Sequence, residues 1–287
     1  MRIALATCRV LPEPDPDRDL LLEAFGREGI DARWLPWDDP LAPFDDHDAV
    51  LIRSTWNYWE HVDEFLAWTE RLGRVTKVSN DPSTIRWNAI KSYLTDLGER
   101  GVKIVPTEIV RRGERRALSA ILDDRGWSDI VVKPLVSAGS FRTARFSSDH
   151  LEAARRFFDD LVAERDVLVQ EHMAAVETSG ERSLVVVDGE VTHAVRKSPR
   201  FAGQAENVSA AVPIAADERA FAEDVLARAP VQPPLYARVD MVRDREGALR
   251  LMELELVEPS LFFRQCSTSL DRFVRAVRDR HRPGGKS

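Results

Sequence analysis

Short apolar runs alternate with longer amphipathic stretches through the first eighty residues: Ile3-Ala4-Leu5-Ala6, then Leu20 to Arg27, Ala32-Arg33-Trp34-Leu35 and Ala49-Val50-Leu51-Ile52. Brief apolar runs bounded by polar or proline-rich residues suit strands buried on both faces, and the helical stretch between them sets a βαβ rhythm with a parallel sheet. A new unit opens at Asn80-Asp81-Pro82-Ser83, where Asp81 reads as a helix N-cap and Pro82 as the first helical position. A second helix is expected from about Ala89 to Arg100, with Ile90, Leu94 and Leu97 facing a core. Ala117 to Leu122 reads as helix, and Ile130-Val131-Val132-Lys133-Pro134 as a buried strand running into the small loop Ser137-Ala138-Gly139-Ser140. A strand near Thr143 to Phe146, an amphipathic helix from Asp149 to Ala163 and a strand at Val167-Leu168-Val169 follow. The remainder reads as largely antiparallel: Ser183 to Val187, a turn at Asp188-Gly189, Val191 to Val195, a hairpin ending at Leu256, and a last helix from Leu270 to Arg278.

The hairpin carries the most chemistry. Residues at i and i+2 of a strand share a face, so Glu253 and Glu255 point one way while Met252, Leu254 and Leu256 point into a core. With the turn at Asp244-Arg245-Glu246-Gly247 and a loop from Arg245 to Ala248, Asp240 falls opposite Glu253. Three carboxylates in one patch repel unless a hard divalent cation such as Mg²⁺ binds them. A strand with a solvated charged face gives the same alternation, so the hairpin alone leaves both readings open.

Composition narrows the classes. With 44% hydrophobic and 31% charged residues over 287 positions, the chain is an ordinary globular one with room for two or three subdomains. A net charge of −7 argues against nucleic acid as the main partner, although a local basic cleft can still bind a small polyanion. Two cysteines, Cys8 and Cys266, make no disulfide framework. No apolar run is long enough to cross a bilayer, and Met1 to Thr7 turns polar too soon for a signal peptide, so a cytoplasmic location with no membrane partner is expected. No GxGxxG follows the first strand, which removes the phosphate turn of a dinucleotide site. Lys133 at a strand end beside a small loop suits phosphate binding, or is a solvated strand terminus. Lys91, on a helix whose Ile90, Leu94 and Leu97 face the core, reads by itself as an ordinary solvated lysine. Arg53-Ser54-Thr55-Trp56-Asn57-Tyr58 lies beyond the carboxyl end of a parallel strand, where ligands gather, or forms a Trp-rich packing seam.

Taken in order, Asn80-Asp81-Pro82, Lys91, Val132-Lys133-Pro134, Val169-Gln170-Glu171, Gly180-Glu181-Arg182-Ser183, Val187-Asp188-Gly189, Asp240 and Glu253-x-Glu255 resemble the ATP-grasp superfamily, in its glutathione synthetase-like branch. The likeness covers roughly residues 80 to 275, and the preceding βαβ segment looks like a pre-ATP-grasp domain. It implies an α/β (α+β) ATP-grasp fold: an N-terminal parallel-sheet domain over 1–79, a lobe with the phosphate loop over 80–170, and a lobe with the metal site over 171–287. It further implies that Lys91 and Lys133 hold nucleotide phosphates under a closing loop of Ser137, Gly139 and Ser140. Gln170, Glu171, His172 and Met173 look like the adenine-reading hinge, and Glu177 or Glu181 like the ribose acid. Arg196 and Lys197, with Asn207 beside them, look like the groups against the transferred phosphate. Asp240, Glu253 and Glu255 look like ligands to one or two Mg²⁺, for which Mn²⁺ can substitute. Many relatives carry asparagine at the last of these positions, which leaves the ion count open.

The implied activity is an ATP- and Mg²⁺-dependent carboxylate–amine ligase acting through an acylphosphate, with Arg53, Ser54, Thr55, Asn57 and Tyr58 toward a small amino-acid-like substrate. The Arg53 to Trp56 segment and the run from Glu253 to Phe262 are similar to small ligases related to the cyclo-ligase of D-cycloserine biosynthesis, which closes O-ureido-D-serine into a ring. A small-molecule kinase and a non-catalytic nucleotide-binding module are the alternatives on the same scaffold. Relatives of this kind often form homodimers.

Overall fold

The computed structural model describes residues 1–139, 141–198 and 207–282. Its N-terminal part runs β1 (Arg2–Thr7), α1 (Arg18–Arg27), β2 (Asp31–Pro36), β3 (Ala49–Ser54), α2 (Val62–Leu72) and β4 (Lys77–Ser79). These strands form one parallel sheet in the order β2-β1-β3-β4. The apolar runs of β1 and β3 are buried throughout, as strands covered on both faces must be. Next come α3 (Pro82–Asn88), α4 (Tyr93–Glu99), β5 (Thr107–Val110), α5 (Leu118–Arg125), β6 (Ile130–Pro134), β7 (Ala144–Phe146), α6 (Leu151–Glu164) and β8 (Val167–Glu171). Their strands make an antiparallel sheet, β5-β8-β6-β7. The rest runs α7 (Ala175–Ser179), β9 (Glu181–Val187), β10 (Glu190–Lys197), α8 (Ala216–Arg228), β11 (Tyr236–Arg243), β12 (Leu249–Glu255) and α9 (Ser267–His281). Here the sheet order is β10-β9-β11-β12, also antiparallel.

Local signals explain much of this. The Asp81 carboxylate accepts from the Ser83 and Thr84 amides, with Pro82 at the start of α3, so the expected cap is present. Asp188 and Gly189, at φ of 49° and 76°, make the two-residue turn between β9 and β10. The last helix seals the first sheet to the third, since one core joins Leu5 and Phe25 to Val185, Tyr236 and Phe273.

Two expectations are corrected. The helix expected from Ala89 to Arg100 is broken: α3 ends at Asn88 and α4 begins at Tyr93. Lys91 lies in the gap because its amide donates to the Leu135 carbonyl at 3.0 Å rather than continuing the helical ladder. In the hairpin Asp240 does pair with Glu253, but Arg243 pairs with Leu249, and the intervening register shifts by one residue. A bulge at Met252 absorbs the difference, so Leu249 and Leu251 are core on one side of it and Leu254 and Leu256 on the other. Met252 therefore faces the cleft instead of the core.

The edge of β12 is covered by other parts of the chain. Leu251 exchanges backbone bonds with Lys103 and Val105. The Leu254 amide donates to the Tyr93 hydroxyl at 3.1 Å. Asn88 donates to the Leu254 carbonyl at 2.8 Å and accepts from the Leu256 amide at 2.7 Å, and Asn80 donates to the Leu256 carbonyl at 2.8 Å. The strand that carries two of the acids is thereby held rigidly on both sides.

Candidate active site

A cavity of about 1040 Å³ opens where the three sheets meet. Its floor is the charged face of β11 and β12, where Asp240, Glu253 and Glu255 bring ligand oxygens within 4.8 Å of one another. Three cations close on them. Lys91 Nζ lies 2.5 Å from Glu253 and donates to the Ser137 carbonyl at 3.0 Å. Lys197 Nζ lies 2.8 Å from Asp240 and 2.5 Å from Glu181. Arg238 donates to both Asp240 oxygens at 2.9 Å, to Glu255, and to the Ser260 carbonyl at 3.3 Å.

Lys133, projecting from the end of β6, lines the same cavity and has no ion-pair partner among the described residues. Burial depresses its pKa and Lys91 and Lys197 add to the effect, against a partial offset from Glu253 and Glu181. Lys91 is held above its ordinary value, because Glu253 and its neighbours outweigh the cost of burial. Burial also acts against Glu253 and Asp240, yet Lys91 and Lys133 hold Glu253 down at about 2, and Arg238 with Lys197 holds Asp240 well below the usual range. Burial wins at the other two acids: Glu255 is pushed up to about 7, aided by Glu253 and Asp240, and Glu181 to about 8, aided by Asp240. Asp240, Glu253 and Glu255 offer oxygen donors only, close enough together to share one ion, a set that fits a hard dication such as Mg²⁺.

The far wall is apolar. Val105, Val131, Met173, Val176 and the displaced Met252 line it, a slot suited to a flat base. Gln170, Glu171, His172 and Met173 all border this slot, with Gln170 tied to Thr107 at 2.9 Å. Glu177 and Glu181 both reach the cavity but differ in surroundings: Glu177 pairs with Arg145 near the rim, whereas Glu181 sits inside against Lys197. Ser137 and Gly139 line the cavity, and Ser140 lies outside the described residues.

Several expected residues are not brought together. Lys197 enters the cavity, but Arg196 is exposed on the opposite side of β10, since adjacent strand residues face opposite ways. Its stem crosses Gly180, at φ of 71°, where an added Cβ would lie 2.6 Å from Arg196 Cγ. Asn207 is exposed and does not line the cavity, its carbonyl accepting from the Ser198 amide at 3.0 Å. Asn57 and Tyr58 line the cavity, together with Trp56 and Trp59. Arg53, Ser54 and Thr55 do not: Arg53 and Ser54 end the buried β3 and Thr55 is buried just beyond it, with the Arg53 guanidinium 5.5 Å from the Tyr236 ring and Ser54 bonded to Thr7 at 3.0 Å.

The sequence reading also passed over Arg238, Asn88 and Glu258, all of which line the cavity. Arg238 had a usable signal, being two residues before Asp240 and on the same strand face. Glu258 is pushed up to about 8 by burial and by Glu255.

A parallel-sheet domain followed by two antiparallel lobes that close on lysines and three acids defines an enzyme of the ATP-grasp class. The fold agrees with a RimK domain ATP-grasp protein from Sphaerobacter thermophilus, with a TM-score of 0.71 at 22% identity over 99% of this chain and 100% of that one. It also agrees with D-alanine–D-alanine ligase from Bacillus anthracis, with a TM-score of 0.68 at 17% identity over 96% of each chain. A family model described as D-cycloserine synthetase DcsG, N-terminal domain, matches residues 3–80. Cycloserine biosynthesis protein DcsG of Streptomyces lavendulae is 32% identical over 98% of this chain and 99% of its own length. The crystal structure of D-cycloserine synthetase DcsG superposes with a TM-score of 0.89, covering 98% of this chain and 100% of that one. The chain belongs to the D-cycloserine synthetase (DcsG) family of ATP-grasp ligases and is an ATP-dependent C–N ligase. Among the described residues no helix is long and apolar enough to cross a membrane.

Proposed function

We propose that this ligase joins a carboxylate to an amine through an acylphosphate on a small amino-acid-like substrate, with O-ureido-D-serine, cyclised to D-cycloserine, as the leading candidate. The observation that carries the reading is the convergence of Asp240, Glu253 and Glu255 with Lys91, Lys133 and Lys197 in one cavity. The units 1–79, 80–170 and 171–287 supply the substrate wall, the phosphate clamp and the acidic floor respectively.

Lys133 is free to take a nucleotide phosphate, and Lys91 can exchange Glu253 for one when the acids are otherwise neutralised. Asp240, Glu253 and Glu255 would hold one or two Mg²⁺. Held by these residues, such an ion would supply positive charge to offset that of the nucleotide phosphates. A substrate carboxylate oxygen then attacks the γ-phosphorus and the bond to ADP breaks. In O-ureido-D-serine the nucleophile is the ureido nitrogen bonded to oxygen: it attacks the acyl carbon, the C–O bond breaks with loss of phosphate, the nitrogen gives up its proton, and water then cleaves the N–C bond to the carbamoyl group, which leaves as carbon dioxide and ammonia. Lys197, on the same face as Asp240, is placed to stabilise the oxyanion of that second step. Ser137, Ala138, Gly139 and Phe141 line the cavity, and the Phe141 ring stacks on Trp59 at 3.9 Å, a cover that would keep water from the acylphosphate.

The test is an ADP-release screen across D- and L-amino acids and O-ureido-D-serine, with Lys133→Ala and Glu253→Ala as controls. O-ureido-D-serine is expected to drive ADP and phosphate release, and both substitutions to abolish it. Activity that survives both would overturn the site assignment.

A further inference from the structure

The acids of the cavity floor are paired with the cations around them, and Glu258, next to that floor, is not. Asp240, Glu253, Glu255 and Glu181 each pair with Lys91, Lys197 or Arg238. Glu258 lines the same cavity, within electrostatic reach of Glu255, Glu253 and Tyr58, and pairs with no cationic side chain among the described residues. Lys91 is the cation it feels, and that ammonium is already committed to Glu253 and the Ser137 carbonyl. Arg53 is buried below the cavity against Tyr236.

The position of Glu258 is also fixed. Its backbone carbonyl accepts from Trp56 Nε1 at 3.3 Å, Val257 before it is 2% exposed, and two residues on the Ser260 carbonyl is held by Arg238 at 3.3 Å. This places the carboxyl group between the acidic floor and the wall formed by Trp56, Tyr58 and Trp59. An unpaired carboxyl group beside aromatic rings is the surrounding that an ammonium group seeks, through charge-assisted hydrogen bonds and attraction to the ring faces. It repels a second anionic group. A substrate whose carboxylate lies over the acidic floor, next to the phosphate donor, carries its ammonium on the adjacent α-carbon, within reach of Glu258 beside that floor.

We propose that Glu258 holds the ammonium group of the substrate and so makes the enzyme select amine-bearing acids over their des-amino counterparts. The assignment rests on the ligase reading above and deepens it by naming what recognises the substrate's amine. Glu258 is a binding and specificity residue in this scheme, separate from the groups that hold ATP.

Calorimetric titration tests it on the full chain loaded with Mg²⁺ and AMP-PNP, using O-ureido-D-serine and its des-amino analogue, ureidooxypropanoate. Wild type is expected to bind the amine-bearing compound about 10- to 100-fold more tightly, the range for a hydrogen bond to a charged group. In Glu258→Gln that preference vanishes, because the amine-bearing compound weakens while the analogue and AMP-PNP bind as before. Equal binding of both compounds by wild type overturns the proposal, as does a Glu258→Gln variant that keeps the preference or weakens both compounds alike. Wild type that binds neither compound overturns the substrate class of the ligase reading, and the ammonium assignment with it.

Discussion

Replacing Asn88, which does no chemistry, should disable the acidic floor. Asn88 is 6% exposed, and its amide donates to the Leu254 carbonyl at 2.8 Å and accepts from the Leu256 amide at 2.7 Å. Because β12 is an edge strand, no neighbouring strand can take over these two groups. Asn88→Ala leaves a buried carbonyl and a buried amide without partners, at about 1–3 kcal/mol each, so a loss of about 4 kcal/mol is expected. That is a large share of the roughly 5–15 kcal/mol available to a typical domain. Glu253 and Glu255 flank Leu254, so the loosened strand also spreads the carboxylates, and the Mg²⁺ concentration for half-maximal turnover should rise about 10-fold or more. Asn88→Asp keeps the acceptor for Leu256 but sets a carboxylate against the Leu254 carbonyl, and should be similarly damaging. Urea denaturation and Mg²⁺ titration of ADP release measure both effects. A loss under about 1 kcal/mol together with an unchanged Mg²⁺ requirement would refute the argument.

Other substitutions separate the roles of neighbouring groups. Lys133→Met removes a half-buried cation without leaving a partner unpaired, so the melting temperature should hold or rise while turnover falls about 10²- to 10³-fold; a melting temperature that drops sharply would mean the lysine is structural. Lys197→Ala should cost turnover on the same scale, whereas Arg196→Ala, on the opposite face of β10, should stay within about 3-fold, and parallel losses would contradict the strand geometry. His281 is 7% exposed, and burial, with Lys77 and Arg280, pushes its pKa down to about 4 from 6.5. The fold holds it neutral, so its contribution is complete above pH 6.5 and is lost as pH falls from there toward 4, by about 3 kcal/mol in all. The melting temperature of wild type should therefore fall more over that window than that of His281→Gln, and identical slopes would show that His281 is not the group responsible.

What was legible follows the range of the interactions involved. The Asp81 cap, the Asp188-Gly189 turn, the apolar runs of β1 and β3 and the pairing of Asp240 with Glu253 all rest on neighbours in sequence or on strict alternation. The three-residue β4 was too short to show a period. Met252 was misplaced because a bulge changes the alternation without any residue type announcing it. Lys91 was drawn as helical because the bond that ends α3, to the Leu135 carbonyl, comes from 44 residues away in sequence, as the numbering of the pair shows. Arg196 is a different case, since alternation alone allowed only one of the adjacent pair Arg196 and Lys197 to reach the cavity. Asn88 and Glu258 had no local signal: their roles come from a strand edge and a tryptophan that meet them only in the folded chain.

The central claim is that the convergent lysines and acids activate a carboxylate as an acylphosphate before the amine attacks. Turnover of a substrate labelled with ¹⁸O in its carboxylate, followed by mass spectrometry of the released phosphate, tests this most directly. The account predicts a single ¹⁸O in inorganic phosphate for each C–N bond formed, because the attacking oxygen leaves with the phosphoryl group. Unlabelled phosphate accompanying the same product, or a stable phosphorylated product in its place, would contradict it.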